Sequence, residues 1–244
     1  MFVIENGILK KYISEEQETL VDTPNGVGIL KITEQEITLP SEVKIIAKGA
    51  FSKCPTLKKI VIPEGVLSIC ERAFKDNKVV EEIVLPESLV EIGEAAFSGC
   101  THLKKIIIPK QIQILPKYVF KGCTRLEDVI LPNYMTEIGD VAFRECTNLK
   151  SIRIPEGITK INTQVFLFCR RLETAELPST LTEIGYQSFE VCEKLKYIKI
   201  PKSVTTFGDA CFGGCVNLNL HIPANTNFPS KAYYGYKRLK IIKY

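Results

Sequence analysis

The chain has 244 residues, of which 45% are hydrophobic and 25% charged, a composition typical of a folded globular protein. Its formal net charge is +4, but the last fourteen residues carry +5 and the remainder −1, so the body of the chain offers no general attraction for nucleic acid or anionic lipid. No run of eighteen apolar residues is present, which argues against a membrane-spanning helix.

The N-terminal segment, residues 1–33, is predicted to form a hairpin and a cap. Asn6-Gly7 lies between two short apolar runs, which is the pattern of a hairpin with a type I′ turn. Residues 14–22 are acidic and polar, and residues 24–26 indicate a further turn. The segment has neither a basic n-region nor a long apolar h-region, so no secretory signal is predicted. The chain is expected in the cytoplasm, or outside the cell if a leader has been removed.

Residues 34–223 repeat with a period of 23 residues. A proline opens each interval and a phenylalanine follows it after eleven residues, as in Pro40, Pro63, Pro86, Pro109, Pro132, Pro155, Pro178 and Pro201, with Phe51, Phe74, Phe97, Phe120, Phe143, Phe166, Phe189 and Phe212. A fixed period of this length is typical of a solenoid, whose units bury a core only by stacking. Glu34, which stands where later repeats have leucine, indicates a polar capping unit at the start of the stack.

Each repeat contains one predicted strand. Its Ile-x-Ile-Pro segment alternates with a period of two, as expected for a short strand with one buried face, and the proline ends it. Because every repeat runs in the same direction, the strands are expected to form a parallel sheet. Seven residues after the proline, a turn-former such as Gly93, Gly139, Gly185 or Gly208 is expected to bend the chain toward an Ala-Phe segment, predicted as a turn or 3₁₀ piece.

Alternating charges support this register. The position after the leucine column reads Lys58, Glu81, Lys104, Glu127, Lys150, Glu173 and Lys196, and the next position begins Lys59, Glu82, Lys105 and Asp128. Repeats stacked about 4.8 Å apart place such residues side by side, where like charges repel each other. Alternation of sign is therefore what a stacked sheet predicts.

Residues 224–244 are predicted to form a C-terminal cap. Residues 225–236 read as a loop, and residues 239–244 as a last strand that closes the open edge, with lysines that discourage further pairing. An aromatic and basic group in this segment is the one candidate nucleic-acid surface, because such residues stack on bases and neutralise phosphates. A solvated capping strand is the favoured interpretation, and nucleic acid is not the expected partner. The group comprises Tyr233, Tyr234, Tyr236, Lys237, Arg238, Lys240 and Lys243.

The repeat resembles that of a known family. Its Cys-x-x-Leu-x-x-Ile-x-Ile-Pro pattern, seen in residues 100–109, is similar to the bacterial leucine-rich repeats of the BspA-like, or Treponema pallidum, type. The resemblance covers residues 34–223, and the N-terminal hairpin is similar to the family's leader hairpin. It implies a β-rich leucine-rich-repeat solenoid of the α/β class with about eight 23-residue repeats. Parallel strands would line the concave face, turns or 3₁₀ pieces the convex face, and a cap would cover each end.

The resemblance also implies a biological role. Members of this family bind proteins or surface ligands, and many of them act as adhesins on the surfaces of bacteria and some protists. A fragment of a cell-surface adhesin is therefore one reading of the chain.

Seven of the nine cysteines form a column with one member per repeat. The column comprises Cys54, Cys100, Cys123, Cys146, Cys169, Cys192 and Cys215, with Asn77 in the remaining place. Metal sites need ligands that converge on one point. A disulfide needs Cβ atoms about 3.5–4.5 Å apart, which is less than one strand spacing. Buried free thiols are predicted, with Cys70 and Cys211 as core substitutions, and a metal- or redox-active protein is the alternative.

No catalytic site is predicted. His102 and His221 are the only histidines, and both fall at predicted solvated positions. No Ser, Cys and His recur at a spacing that implies a triad, and no phosphate-binding loop is present. The sequence therefore predicts a protein that is not an enzyme and has no cofactor or metal site.

The outward face of the predicted sheet is the candidate binding surface. Val61, Val84, Ile107 and Ile130 would form an apolar ridge on it, and such ridges on soluble proteins often mark interaction sites. Coverage by the N-terminal segment, or β-propensity alone, would also explain the ridge. The predicted binding residues are Lys59, Val61, Glu82, Val84, Lys105, Ile107, Asp128, Ile130, Arg153, Glu176, Tyr197 and Lys199.

These patterns predict a non-catalytic scaffold that binds a protein or a surface ligand, whose identity they do not name. A structural element whose partner is its own copy is a further possibility that the sequence leaves open.

Overall fold

The computed structural model describes residues 2–12, 36–234 and 239–244. In these residues the chain forms a solenoid of about nine turns, built from short parallel strands with almost no helix, and the predicted solenoid is confirmed. The acidic segment at residues 14–22, the turn at residues 24–26 and the capping position Glu34 lie outside the described residues.

The N-terminal hairpin consists of β1 (Phe2–Glu5) and β2 (Ile8–Tyr12), which pair antiparallel. Asn6 and Gly7 join them with φ angles of 50° and 73°, so the predicted type I′ hairpin is present. Strand β2 then pairs in parallel with Ile45–Ile46. The hairpin therefore joins the stack as its first layer.

Two strands form in each repeat, where the sequence predicted one. The longer strands are β3 (Glu36–Thr38), β5 (Lys59–Val61), β7 (Glu82–Val84), β9 (Lys105–Ile107), β11 (Asp128–Ile130), β13 (Ser151–Arg153), β15 (Thr174–Glu176), β17 (Tyr197–Lys199) and β19 (Asn219–Ile222). The shorter strands are β4 (Ile45–Ile46), β6 (Ser68–Ile69), β8 (Glu91–Ile92), β10 (Ile114–Leu115), β12 (Glu137–Ile138), β14 (Lys160–Ile161), β16 (Glu183–Ile184) and β18 (Thr206–Phe207).

Each strand pairs with the equivalent strand of the neighbouring repeat. The longer strands form two sheets, in the orders β3-β5-β7-β9-β11 and β13-β15-β17-β19-β20, and β20 is Lys240–Lys243. In the first sheet Lys59 lies opposite Glu82, and Val61 lies opposite Val84. Strand β20 pairs in parallel with β19, so the last strand closes the stack as predicted. A short 3₁₀ helix, Ser230–Ala232, precedes it.

Turns connect the second strand of each repeat to the next repeat. Two residues of each turn have left-handed backbone, with φ between 52° and 75°. The first of these columns comprises Gly49, Arg72, Ala95, Tyr118, Val141, Gln164, Gln187 and Ala210, and the second Lys53, Asp76, Gly99, Gly122, Glu145, Phe168, Val191 and Gly214. The segments predicted as turns or 3₁₀ pieces are therefore turns, and the 3₁₀ helix of the described residues lies in the C-terminal cap instead.

The glycines at positions 93, 139, 185 and 208 have a role besides the predicted one at the bend. None of them has a positive φ, but the carbonyls of Gly93, Gly185 and Gly208 accept the hydrogen bond, from the residue three positions later, that begins each turn. A Cβ atom at Gly93 would lie 2.3 Å from the backbone nitrogen of Glu71, and one at Gly139 would lie 2.7 Å from that of Lys117. These glycines also let the backbone approach the preceding repeat closely, and the left-handed residues that follow them complete the bend.

The core lies between the two ladders of strands and is organised around the phenylalanine column. From Phe51 to Phe212 the rings stack in sequence, with centroids 4.8–5.6 Å apart, and all eight are fully buried. Such aromatic pairs contribute about 0.5–1.5 kcal/mol beyond the area that they bury. The apolar residues on the predicted buried face of the Ile-x-Ile-Pro segments are buried, apart from Leu85, Val129, Leu131 and Leu177, which are half-buried and pack against the core. At the end of the stack Phe228 packs edge-on against Phe207.

Candidate protein-binding face

The twelve predicted binding residues all lie at outward positions of strands β5 to β17. In each strand the middle residue points into the core, and the two flanking residues are left on the opposite side because side chains alternate along a strand. Ile60, Ile83 and Ile106 are such middle residues and are buried. The fold therefore collects these residues on one side of the longer-strand sheets, while their role in binding stays a prediction.

The apolar ridge consists of Val61, Val84, Ile107 and Ile130. Val84, Ile107 and Ile130 are 39%, 53% and 50% exposed, and Val61 is half-buried. Val61 lies opposite Val84 and Ile107 lies opposite Ile130 in the strand register, so the ridge runs across neighbouring repeats. A contiguous apolar strip of this kind on an outward face is a typical feature of interaction surfaces.

A depression of about 490 Å³ lies at the middle of the ridge, between β7 and β9. Val84, Leu85, Ile107 and Pro109 contribute its apolar walls, while charged side chains of both strands also line it. Register pairing of β7 with β9 is confined to a single pair, Glu82 with Lys105. The volume falls in the range of small ligand sites, so the depression has room for an apolar side chain of a partner.

The sequence did not predict this depression. Leu85 is the last apolar residue of its Ile-x-Ile-Pro segment, which predicts a buried side chain, and the sequence assigns Pro109 only the role of ending a strand. The depression is formed by side chains of two particular repeats, so the periodic pattern contains no signal for it.

Charged residues flank the ridge. The Lys59 ammonium lies 3.5 Å from the carboxylate of Glu82 and 4.0 Å from that of Glu36. Lys105 and Asp128 continue this column, and neither forms an ion pair with any residue that the structure describes. Both charges are therefore available to a partner on the outward face.

A second charged column runs beside the first and confirms the predicted alternation. Its ion pairs link Lys104 with Glu81 at 2.5 Å, Lys150 with Glu127 at 2.5 Å, and Lys196 with Glu173 at 2.8 Å. The hydrogen bond from each lysine lowers the pKa of its glutamate, and the lysine charge adds to this effect. Because these pairs are exposed, each of them adds little to the stability of the stack.

Beyond β11 the outward face becomes polar. Arg153 lies 3.7 Å from the Glu176 carboxylate. Tyr197 contacts the ring of His221, with centroids 4.7 Å apart, and the Lys199 ammonium lies 4.7 Å from the centre of the Tyr244 ring. The face therefore has an apolar part on β5 to β11 and a polar, aromatic part on β13 to β20.

The candidate nucleic-acid surface is only partly described. Lys240 and Lys243 are exposed on β20, as is Tyr234 in the preceding segment. Tyr236, Lys237 and Arg238 lie outside the described residues.

The cysteine column lies inside the core, away from this face. Its seven thiols are free and buried, and from Cys100 onward each Sγ donates a hydrogen bond to a phenylalanine carbonyl 26 residues earlier, at 3.1–3.3 Å. Burial raises the pKa of five of these thiols, that of Cys123 to about 12; the five are Cys100, Cys123, Cys146, Cys169 and Cys192. A thiol with a raised pKa stays protonated at neutral pH, and a protonated thiol is a poor nucleophile and a poor metal ligand. Among the described residues, no three His, Cys, Asp or Glu residues are placed to hold a metal ion together.

Two cysteines lie outside the column, and one place in the column holds an asparagine. Cys211 is buried, as predicted for a core substitution, but Cys70 is half-buried, so that prediction is wrong. Asn77 fills the eighth place of the column, is fully buried, and has no hydrogen-bond partner for its side-chain amide.

The stacked 23-residue units, their parallel strands and their exposed sheet face define a leucine-rich-repeat solenoid. The model of the BspA-type leucine-rich repeat region, which contains six copies, matches residues 31–129 and 113–240. The chain belongs to this family. Proteins of the leucine-rich-repeat class are in general non-catalytic binding scaffolds.

Solved structures agree with this assignment. The leucine-rich repeat protein of T. pallidum is 31% identical, with a TM-score of 0.65, over 77% of this chain and 82% of its own. A leucine-rich repeat protein from Eubacterium ventriosum is 25% identical, with a TM-score of 0.56, over 96% of this chain. The match spans about half (51%) of that second protein. None of the curated proteins matches the chain.

In the part of the chain that the structure describes, no helix has the length and apolar character needed to cross a membrane.

Proposed function

We propose that the chain is a non-catalytic scaffold that binds a protein through the outward face of strands β5 to β11. The observation that carries this proposal is the apolar ridge of Val61, Val84, Ile107 and Ile130, which is substantially exposed and contains a depression of about 490 Å³. Fully burying a side chain of this size stabilises a complex by about 1.5–3 kcal/mol relative to leaving it in water.

The rigidity of the ladder supports the same proposal. The ridge side chains project from strands whose middle residues are buried, or half-buried in the case of Val129, and whose backbones are paired with neighbouring repeats. A partner therefore meets a preformed surface and does not have to order a loop, a cost that lowers the affinity of flexible sites. Glu82, Lys105 and Asp128 beside the ridge supply charge recognition at its rim, which favours specificity and rapid association.

The experiment compares two double variants that each remove two exposed apolar side chains. Ile107→Ser with Ile130→Ser disrupts the ridge. Val90→Ser with Ile114→Ser is the matched control, since these residues are 56% and 53% exposed but lie beside or within the shorter-strand ladder. Both variants are immobilised, and proteins captured from native lysate and from extracellular material of the source organism are compared with those captured by the unmodified chain.

We expect the ridge variant to melt close to the unmodified chain and to lose the captured proteins, while the control retains them. A folded ridge variant that captures the same proteins as the unmodified chain contradicts the proposal.

A further inference from the structure

Two patterns on the outward face coincide. The apolar ridge occupies β5, β7, β9 and β11, and the same four strands carry the alternating charges Lys59, Glu82, Lys105 and Asp128 at their first outward position. On the C-terminal side both patterns end together, because β13 has Ser151 and Arg153 at the equivalent places. On the N-terminal side the ridge ends at Val61, since β3 has Thr38 there, and the charge column continues by one residue to Glu36. The four strands are consecutive in one sheet, and three strand spacings span about 14 Å.

A column of four charges that alternate in sign is complementary to its own reverse. A two-fold axis parallel to the strands, at the surface between β7 and β9, reverses the order of the repeats and keeps the position along each strand. Lys59 then faces Asp128 of the second copy, and Glu82 faces Lys105 of the second copy. The ridge meets itself in the same way, with Val61 against Ile130 and Val84 against Ile107. Such an interface is isologous, as in most homodimers.

The same axis also brings unlike charges of the neighbouring column together, Lys58 with Glu127 and Glu81 with Lys104 of the second copy. Glu81, Lys104 and Glu127 already form ion pairs within their own chain, so this column contributes less to the choice of register. A shift by half a step, which places the axis on β7, sets Glu82 against Glu82 and Lys59 against Lys105, where like charges repel. Attraction between unlike charges therefore favours the register with the axis between β7 and β9. Repulsion between like charges disfavours the register with the axis on β7.

We propose that a second copy of this chain docks on the β5 to β11 face through this two-fold arrangement. The inference rests on the proposed function, because it names one protein partner for the same face. Lys105 and Asp128, which form no ion pair with the described residues of their own chain, acquire Glu82 and Lys59 of the second copy as partners. The apolar side chains of the ridge, including those that line the depression, become covered at the centre.

The interface is small. It comprises two outward residues on each of four strands, together with the adjacent charged column, which is less than the area of a standard stable interface. The dimer is therefore weak and forms in a concentration-dependent way, and it loses affinity as salt screens its exposed charges.

Charge reversal tests the register directly. Sedimentation velocity of the full chain is measured at low salt from micromolar to millimolar concentration. Glu82→Lys places two lysines opposite each other at both symmetric positions, and Lys105→Glu places two acids there. Each single variant is expected to dimerise at least about tenfold more weakly than the unmodified chain. The double variant, Glu82→Lys with Lys105→Glu, restores opposite charges and is expected to dimerise like the unmodified chain.

Mixing the two single variants gives a sharper readout. In the mixed pair, the lysine introduced at position 82 of the first variant faces the glutamate introduced at position 105 of the second. The unchanged Lys105 of the first variant faces the unchanged Glu82 of the second. The mixture is expected to form a heterodimer, although neither variant forms a homodimer at the same concentration. A loss of folding cannot produce this recovery, and circular dichroism of each single variant checks its fold independently.

Glu137→Lys is the matched control. Glu137 is exposed on β12, in the shorter-strand ladder and not on the four strands, so its reversal is expected to leave dimerisation unchanged. An unmodified chain that stays monomeric throughout overturns the dimer, as does association that neither single variant weakens. Capture of other proteins by the unmodified chain, lost in the Ile107→Ser with Ile130→Ser variant, would still support the proposed function in either case.

Discussion

The ring of Tyr12, in the N-terminal hairpin, stacks on the ring of Phe51 in the first repeat, with centroids 5.4 Å apart and planes inclined by 29°. Phe2 contacts Tyr12 from the other side at 5.6 Å, so the hairpin extends the phenylalanine column by two aromatic rings. A repeat can bury its core only against a neighbour, and the first repeat has none before it except this hairpin. The hairpin is thus the surface on which the column begins.

Replacement of Tyr12 by alanine should therefore destabilise the whole stack. We expect Tyr12→Ala to lower the free energy of unfolding by about 3 kcal/mol, since it removes a large buried ring and uncovers Phe51. Urea unfolding followed by circular dichroism measures the change. Tyr134→Ala, at a position that is 79% exposed, should leave the stability within about 0.5 kcal/mol. Equal stability of the Tyr12→Ala chain would show that the hairpin does not cap the column.

Asn77 is a correctable defect in the cysteine column. Its side-chain amide is fully buried without a hydrogen-bond partner, whereas Cys100 in the next repeat donates its thiol to the Phe74 carbonyl at 3.2 Å. We expect Asn77→Cys to raise the free energy of unfolding by about 1–3 kcal/mol, because it removes an unsatisfied polar group and allows the equivalent bond to the Phe51 carbonyl.

The reverse replacement tests the same explanation in an intact repeat. Cys123→Asn should destabilise the chain by a comparable amount, because Cys123 donates to the Phe97 carbonyl at 3.2 Å in the same way. Both variants are compared under reducing conditions by urea unfolding. Loss of stability in the Asn77→Cys variant would contradict the assignment of Asn77 as an unsatisfied group.

Gly139 is required for close approach of two repeats. A Cβ atom there would lie 2.7 Å from the Lys117 nitrogen and 2.8 Å from the Pro116 carbonyl carbon, and neither atom can move without shifting the backbone. Gly139→Ala is expected to cost about 3 kcal/mol. Gly122→Asp should cost less than about 1 kcal/mol, although Gly122 has a φ of 73°, because its surroundings are open and Asp76 occupies the same column. Thermal melting compares the two, and the reverse order of stabilities would contradict this account.

The inter-repeat ion pairs predict acid sensitivity. In the folded chain the hydrogen bond from a lysine lowers the pKa of Glu81, Glu127 and Glu173 below the ordinary value of 4.5. Each carboxylate therefore adds stability above that value, and the contribution is lost as pH falls through the lowered pKa. The unmodified chain should lose stability on acidification below about pH 4.5 more steeply than a variant with glutamine at all three positions.

Urea unfolding at low salt over this pH range measures the difference. Glu137→Gln is the control, because Glu137 is exposed and forms no ion pair with any described residue. Parallel pH profiles for the unmodified chain and the triple variant would show that these pairs do not contribute.

Much of the fold could be predicted from the sequence because the repeat averages out local ambiguity. A single Ile-x-Ile-Pro segment is a weak strand signal, but eight in-register copies fix the strand, its buried face and its neighbours. The shorter strands were missed because only their second residue, such as Ile69 or Ile92, recurs as an apolar residue. The left-handed turn positions were also missed, since residues as different as Arg72, Tyr118 and Gln164 occupy one column. Their conformation is imposed by the hydrogen bonds between repeats.

By itself, the sequence determined the 23-residue period, the stacking direction and the side of each strand that faces water. These features follow from the polarity and the spacing of residues at equivalent positions of successive repeats, which can be compared in the sequence alone. The tertiary structure decided where the sheet face opens into a depression, why Gly139 must be glycine and that Asn77 lacks a partner. These depend on distances between particular atoms of adjacent repeats, so one repeat read alone, or averaged with the others, does not contain them.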